Sequence, residues 1–391
     1  MLWTTVAVDL LGFGIVVPLL PLYARRLGAG PESVGLLLAA FSAAQLVAAP
    51  LLGRLSDSIG RKPVLLLSLA GTAVASLLTG LAGSLWLLFV ARVVDGASGG
   101  SVAVAQAAAA DLAAPDQRAR VFGLLGAAYG VGFVLGPALG GLAALGGSRL
   151  PFLLAAAIAA ANAVVARRRL PETRRAGGGP APWHRLPAMA RLVVGPGVVN
   201  LLVVGAFSAF EATFALFAHR RVGLGLAGVG AVFALVGVVA AVVQTMVVHP
   251  LAARVGQRGA LRIGMVLEGS GLVLLIDVHT RGGLVGPLAL VTAGQALCTP
   301  SLSALVAGSV AGSERGGALG LQQSISALAR VVGPALGGLA YSAAVGLPFA
   351  GAALVLAAAV VFSLFMGRLG PAAPSMVVEG GAPRLPLSNN G

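Results

Sequence analysis

The chain has 391 residues, of which 58% are hydrophobic and only 10% are charged, and its mean hydropathy is +0.97. Soluble domains carry about 25% charged residues, so this composition excludes an ordinary soluble globule. The formal charge of +14 does not indicate a nucleic-acid-binding protein, because such a protein needs a basic face on a soluble module and this sequence has none.

Apolar stretches recur along the whole chain at about the 20-residue length that crosses a bilayer as a helix. They predict an all-α membrane protein with twelve transmembrane helices in two six-helix halves. We number the predicted spans 1 to 12 in chain order. The first half holds 4–24, 33–52, 63–82, 84–112, 121–145 and 150–166, and the second half holds 198–218, 226–250, 261–278, 284–310, 316–342 and 347–366.

A polar stretch at 167–195 separates the two halves. It is rich in arginine and contains the run Gly177-Gly178-Gly179-Pro180, which is the composition of a linker. We therefore predict six-helix bundles at 1–166 and 196–367, joined by this cytoplasmic linker. The residues 368–391 are rich in Pro, Gly and Asn, and we expect a disordered tail there.

The basic residues predict how the chain lies in the membrane. With both termini in the cytoplasm, most of the 26 Lys and Arg residues fall on the cytoplasmic side, which is the side where basic residues concentrate. We therefore expect a multi-pass inner-membrane protein with both termini cytoplasmic.

The two halves repeat short motifs. Gly136-Pro137-Ala138-Leu139-Gly140-Gly141 in span 5 recurs as Gly333-Pro334-Ala335-Leu336-Gly337-Gly338 in span 11. After spans 1 and 7, Arg25-Arg26-Leu27-Gly28 recurs as Arg220-Arg221-Val222-Gly223. Duplicated halves around a site near the membrane midplane are a plan that many transporters share.

The loop between spans 2 and 3 reads Gly53-Arg54-Leu55-Ser56-Asp57-Ser58-Ile59-Gly60-Arg61-Lys62. This sequence resembles the signature loop of the major facilitator superfamily. Its glycines permit a tight turn, and Asp57 and Arg61 offer opposite charges at the membrane surface. The alternative is an ordinary basic loop. The resemblance implies a conformational latch that pairs the halves at their cytoplasmic ends in the outward-facing state, formed by Gly53, Asp57, Gly60, Arg61 and Lys62.

Span 5 is similar to the motif that the superfamily's antiporters carry. Small residues near helical spacing let helix backbones approach closely, and a proline weakens the helical hydrogen-bond ladder. Plain helix packing is the alternative. The antiporter resemblance rests on Gly126, Gly130, Gly136, Pro137, Gly140 and Gly141.

Span 1, from Asp9 to Pro21, is similar to the twelve-helix drug:proton antiporters and especially to the tetracycline exporters. Charged residues inside a bilayer each cost about 2.5–3.5 kcal/mol, so they persist mainly where they pair, face a cavity or carry protons. Arg92 and Asp95 are three residues apart and so share a helix face, where they form either a proton-transfer pair or a self-neutralised structural pair. The predicted proton-coupling residues are Asp9, Arg92, Asp95, Glu211 and Glu268.

Departures from the tetracycline exporters bear on the substrate. Glu268 falls where those exporters place an aspartate and Gln244 matches a glutamine, but span 3 has no acid and no histidine lies near Gln244. Tetracycline is therefore not the expected substrate. Arg330 either pairs with an acid of the second half or anchors an anionic substrate group. The predicted cavity residues are Gln45, Gln106, Gln244, Gln322 and Arg330.

These features predict a secondary transporter that exports small organic compounds in exchange for protons by alternating access. The alternative is a proton symporter or facilitator that imports a sugar or another small metabolite. We expect no enzyme activity, because the sequence has neither a metal-ligand spacing nor a nucleophile motif. The expected partners are a small-molecule substrate, protons and the lipid bilayer, with no nucleic acid, no cofactor and no metal, and the chain is expected to act as a monomer.

Overall fold

The computed structural model describes residues 2–99, 104, 105, 108, 132, 134–172, 186–310 and 315–369. Over these residues the chain forms helices, turns and connecting loops, with no β-strand. The helices are α1 Leu2–Val16, α2 Leu20–Arg26, α3 Pro31–Ile59, α4 Arg61–Leu81, α5 Leu85–Ser98, α6 Val134–Leu145, α7 Leu150–Arg169, α8 Leu186–Val222, α9 Leu226–Val242, α10 Val248–Ile276, α11 Val285–Gly308, α12 Arg315–Ala343 and α13 Leu347–Leu369.

The first span is a broken helix. The axes of α1 and α2 meet at 43°, and the turn between them contains Pro18 while Pro21 lies in the first turn of α2. Each proline lacks the backbone N–H that would continue the ladder, so the helix bends here. The Tyr23 hydroxyl donates to the Ala82 carbonyl oxygen at 3.2 Å, which fixes α2 against the end of α4.

Spans 8 and 9 form one nearly continuous helical stretch, Leu226–Ile276, of 51 residues. At 1.5 Å per residue a straight helix of this length would measure about 76 Å, against about 30 Å for the hydrocarbon core. The chain instead reverses at Gly256, whose backbone is left-handed with φ +74°. The stretch therefore crosses twice. Each of the twelve predicted spans contains a described helix, and most of 100–133, which belongs to spans 4 and 5, lies outside the described residues.

Gly60 makes the matching reversal between α3 and α4 with φ +109°. We call the side of the bundle where Gly60, Gly256 and the end of α7 lie the linker end. The opposite side, where α2 ends at Arg26 and α8 ends at Val222, is called the far end.

The two halves meet at the far end through close helix contacts. A Cβ atom built on Gly230 of α9 would lie 2.5 Å from the Cα of Gly141 in α6. On the other side of the molecule, a Cβ atom built on Gly338 of α12 would lie 3.2 Å from the Cα of Gly35 in α3. Gly141 and Gly338 are the last residues of the two repeated Gly-Pro motifs, so the repeat builds the same contact twice. We call these two contacts the far-end seam.

The hydrophobic core follows the same division. The largest cluster of buried residues joins both halves and includes Leu19 and Leu37 from the first half and Phe214 and Val229 from the second. Two smaller clusters, around Val64 and Val306, each draw on one half alone. The described part of the molecule is therefore sealed between its halves mainly at the far end.

Candidate functional site

A buried ion pair lies in α5, as its spacing predicts. An Arg92 guanidinium nitrogen lies 2.6 Å from Asp95 Oδ2, and the two residues are 1% and 6% exposed. The guanidinium also lies 5.5 Å from the ring centroid of Phe41 in α3. The pair is neutral as a unit, which offsets part of the cost of burying each charge. Its geometry suits both a structural pair and a proton-transfer pair, so its function stays a prediction.

Glu268 in α10 lies in a different environment. The residue is fully buried, and neither carboxyl oxygen has a hydrogen-bond partner among the described residues. Gly294 of α11 makes room for it, because a Cβ atom at Gly294 would lie 2.6 Å from the Glu268 Cβ. An ionised carboxylate without such partners is costly inside a protein. Glu268 is therefore positioned as an acid whose neutral form the packing favours.

The remaining predicted acids lie in the two helices that begin the halves. Asp9 in α1 and Glu211 in α8 are both half-buried. Arg330 in α12 lies within electrostatic range of Glu211. Its pairing with an acid of the second half and its anchoring of an anionic substrate group both stay predictions.

The predicted cavity amides are in separate environments. The Gln45 side chain donates to the Gly99 carbonyl at 2.9 Å and links α3 to the end of α5. Gln244 is exposed and lies in a π-helical turn, Val243–Val247, between α9 and α10. Gln106 lies outside the described residues.

Gln322 belongs to a buried polar cluster in the second half. Its side-chain amide donates to Asn200 Oδ1 at 3.4 Å and to Ser303 Oγ at 3.3 Å. Asn200 in turn donates to Ser326 Oγ at 2.8 Å. Asn200 and Gln322 are 2% and 8% exposed, so this cluster joins α8, α11 and α12 where a cavity contact was predicted. Asn200 was not predicted from the sequence, and an amide within an apolar span is the signal that would have found it.

The signature loop contains the predicted opposite charges. Arg61 Nη1 lies 2.5 Å from Asp57 Oδ1 and donates to Ser56 Oγ at 2.6 Å. Gly60 turns the chain in a left-handed conformation that glycine favours. Gly53 has open space around it. Asp57, Gly60 and Arg61 therefore belong to one compact turn, while the latch role remains a prediction.

Glu172 caps this loop and was not predicted from the sequence. Its carboxylate accepts the backbone N–H of Arg61 at 2.8 Å and that of Lys62 at 3.2 Å, which are donors at the start of α4. The first N–H groups of a helix have no partner within the helix, and they attract negative charge. The sequence did carry a signal, because Glu172 is the only acidic residue in the arginine-rich stretch 167–195.

The glycine motif of span 5 has two packed faces on α6. Gly136 lies against the backbone of Gly14 in α1, where an added Cβ would come within 2.7 Å of the Gly14 Cα. Gly140 faces Ile15 and Leu19 on the same side, while Gly141 faces Gly230 of the second half. Gly126 and Gly130 lie outside the described residues. Pro137 contributes its carbonyl oxygen to the contact with Gly230, 2.8 Å from an added Cβ. The motif thus connects the helix that carries Asp9 to the opposite half.

Comparison with known proteins gives consistent results. The Major Facilitator Superfamily model matches residues 2–267 and 245–389. Tetracycline resistance protein, class G, of Vibrio anguillarum is 35% identical over 356 residues, which is 87% of this chain and 89% of the relative. Multidrug resistance protein 1 of Bacillus subtilis (strain 168) is 27% identical over 370 residues, 93% and 94% of the two chains. The crystal structure of the human organic anion transporter MFSD10 (TETRAN) superposes with a TM-score of 0.71 at 25% identity, covering 93% of this chain and 97% of that one.

Two repeated six-helix halves, buried charges inside the spans and these relatives define a multi-pass membrane transporter. The chain belongs to the Major Facilitator Superfamily, as the signature loop predicts.

Proposed function

We propose that the protein exports small organic, drug-like compounds in exchange for protons. The observation that carries this proposal is the packing of α6, whose glycine motif contacts both the Asp9-bearing helix α1 and the helix α9 of the other half. A change at Asp9 can therefore be transmitted to the far-end seam through backbone contacts that leave no space for side-chain adjustment. The efflux relatives support the direction and the class of compound.

Alternating access gives each end of the molecule a function. In the proposed orientation both termini and the linker end are cytoplasmic, so the far-end seam closes the external side of the bundle. Substrate enters from the linker end, the halves rotate, and the signature loop pairs them on the cytoplasmic side while the far-end seam opens. The chain acts as a monomer in the inner membrane and uses no cofactor or catalytic site in this scheme.

The proton supplies the driving force. Each proton that moves inward releases about 2.3 kcal/mol per 100 mV and about 1.4 kcal/mol per pH unit, which together support a substrate gradient of a few hundred-fold. Glu268 supports a carrier role, because it is an acid in a site that disfavours its charge and offers no described hydrogen-bond donor. Asp9 is the corresponding candidate in the first half.

The test separates coupling from substrate exchange. In proteoliposomes, Asp9→Asn and Glu268→Gln are each expected to abolish proton-driven efflux while leaving exchange of labelled for unlabelled substrate intact. Asp277→Asn is the matched control, since Asp277 is an exposed acid at the far end. Wild-type coupling in both site variants contradicts the proposal, and uptake of substrate along with protons favours the import alternative.

A further inference from the structure

The far end carries two copies of one basic motif. Arg25 and Arg26 end α2 in the first half, and Arg220 and Arg221 end α8 in the second. Each pair is followed two residues later by a glycine in the left-handed conformation, with φ +86° in the first copy and +67° in the second. Basic residues at a helix C-terminus have a local explanation in the helix dipole. That explanation does not account for two such pairs on opposite sides of a closed contact.

The closed halves bring the two motifs to a common cavity. A cavity of about 520 Å³ is lined by Arg25 of the first half and by His219, Arg220 and Tyr341 of the second. A neighbouring cavity of about 240 Å³ includes Arg25, Arg26 and His219. Arg25 of the first half and Arg220 of the second therefore border the same space as the Tyr341 side chain.

Among the described residues, no carboxylate lies within ion-pair distance of Arg25, Arg26, Arg220 or Arg221. Arg221 instead donates to Nε2 of His279 at 2.7 Å. The other ring nitrogen, His279 Nδ1, lies 2.8 Å from the backbone carbonyl of Asp277, so neither contact brings a negatively charged side chain to Arg221.

Closure of the far end therefore concentrates positive charge that the opened state would separate. Like charges repel when they are brought within a Debye length of each other, about 10 Å at 0.1 M salt. An anion bound between the halves attracts the arginines of both, so the electrostatic energy then favours the closed state instead of opposing it. Guanidinium groups bind phosphate oxygens in pairs through parallel N–H donors, which makes arginine the preferred ligand for such an anion.

We propose that the far-end cavity binds a phosphate-type oxyanion, with Arg25 and Arg220 as ligands from opposite halves and the Tyr341 hydroxyl as a further donor. The bound anion bridges the two halves and stabilises the state that is closed at the far end. The volume admits either a free phosphate ion or the phosphodiester of an anionic lipid headgroup. This site is separate from the proposed transport site and does not depend on the direction of transport.

The first experiment measures thermal unfolding of the purified full chain in uncharged detergent. Inorganic phosphate is titrated at constant ionic strength in one arm, and phosphatidylglycerol is compared with phosphatidylcholine in the other. The variants are wild type, the double substitution Arg25→Gln with Arg220→Gln, and Arg149→Gln. Arg149 is the matched control, because it is an exposed far-end arginine that lines neither cavity.

We expect a saturable rise in the unfolding midpoint for wild type and Arg149→Gln, and its loss in the double variant. A response to inorganic phosphate identifies a free-anion site, whereas a response to phosphatidylglycerol alone identifies a lipid site. Absence of any saturable response in wild type, or an equal response in the control and the double variant, overturns the proposal.

Single substitutions test whether the anion contacts both halves, and each disturbs the fold less than the double substitution does. Arg25→Gln and Arg220→Gln alter different halves, so each alone must weaken binding if the anion bridges them. Arg220→Lys keeps the charge but loses the paired donors, and we expect roughly tenfold weaker binding, equivalent to one charge-assisted hydrogen bond. Full affinity in either single glutamine variant contradicts the bridging geometry.

Discussion

The substitution Gly230→Ala tests whether the far-end seam depends on direct backbone contact. The added Cβ would lie 2.5 Å from the Cα of Gly141 and 2.8 Å from its N atom and from the Pro137 carbonyl oxygen. These are backbone atoms in a neighbouring helix, so no side-chain rotation relieves the overlap. Overpacking of this kind costs about 1–3 kcal/mol. Because the contact exists only when the far end is closed, we expect the closed population to fall by roughly 5- to 150-fold relative to the open one.

Gly228→Ala in the same helix is the control. Its added Cβ would lie 3.0 Å from Leu224 Cδ2, the mobile end of a side chain in the preceding turn. That side chain can rotate away, so the control is expected to keep the wild-type distribution of states. Gly338→Ala, in the repeated contact on the other side, is expected to behave like Gly230→Ala, since its Cβ would lie 2.6 Å from the Pro31 carbonyl oxygen.

The assay is a spin-label distance measured across the far end. Cys298 is the only cysteine, so Cys298→Ala gives a background for Gly83→Cys and Gly282→Cys. Both positions are exposed and have nothing within 4 Å of an added Cβ, and they lie in different halves. A shift toward longer distances in Gly230→Ala is the expected result. A distribution that matches wild type, or an equal shift in Gly228→Ala, refutes the reasoning.

Three further predictions concern polar groups that form hydrogen bonds or ion pairs. Glu172→Ala removes the cap of α4 and is expected to cost about 0.5–2 kcal/mol, seen as faster amide hydrogen exchange in the first turn of α4, with unchanged exchange contradicting the cap. Asn200→Ala removes one of the two acceptors of the Gln322 amide and the donor to Ser326 Oγ, and it is expected to lower stability by about 1–3 kcal/mol, which thermal unfolding measures; no loss would contradict a stabilising role for this cluster. Arg92→Leu leaves Asp95 buried and unpaired, at a cost of about 3–5 kcal/mol, and Arg92→Leu with Asp95→Leu is expected to recover most of that stability. Equal instability of the single and double variants contradicts this account of the pair.

Features set by local spacing could be predicted from the sequence. The twelve spans follow from apolar runs of bilayer length, and the Arg92–Asp95 contact follows from two residues one helical turn apart. Asp57 and Arg61 are similarly close in sequence and form an ion pair. Each of these features requires only that a segment becomes helical or turns tightly.

Features that depend on tertiary packing could not be predicted from the sequence. Glu172 reaches Arg61 across a separation of 111 residues, and no local pattern specifies that approach. Gln322 was predicted to face a cavity, but its partners on α8 and α11 are determined by helix packing. The repeated Gly-Pro motifs were visible, yet only the packed structure places their last glycines on the seam between the halves.

The central claim is that outward movement of an organic compound is coupled to inward movement of protons. The most direct measurement loads proteoliposomes with a pH-sensitive dye, imposes a proton gradient, and follows proton flux while dyes and antibiotics are added one at a time. The account predicts that a transported compound and protons move in opposite directions. Movement of both in the same direction, or compound transport that does not depend on the gradient, would contradict it.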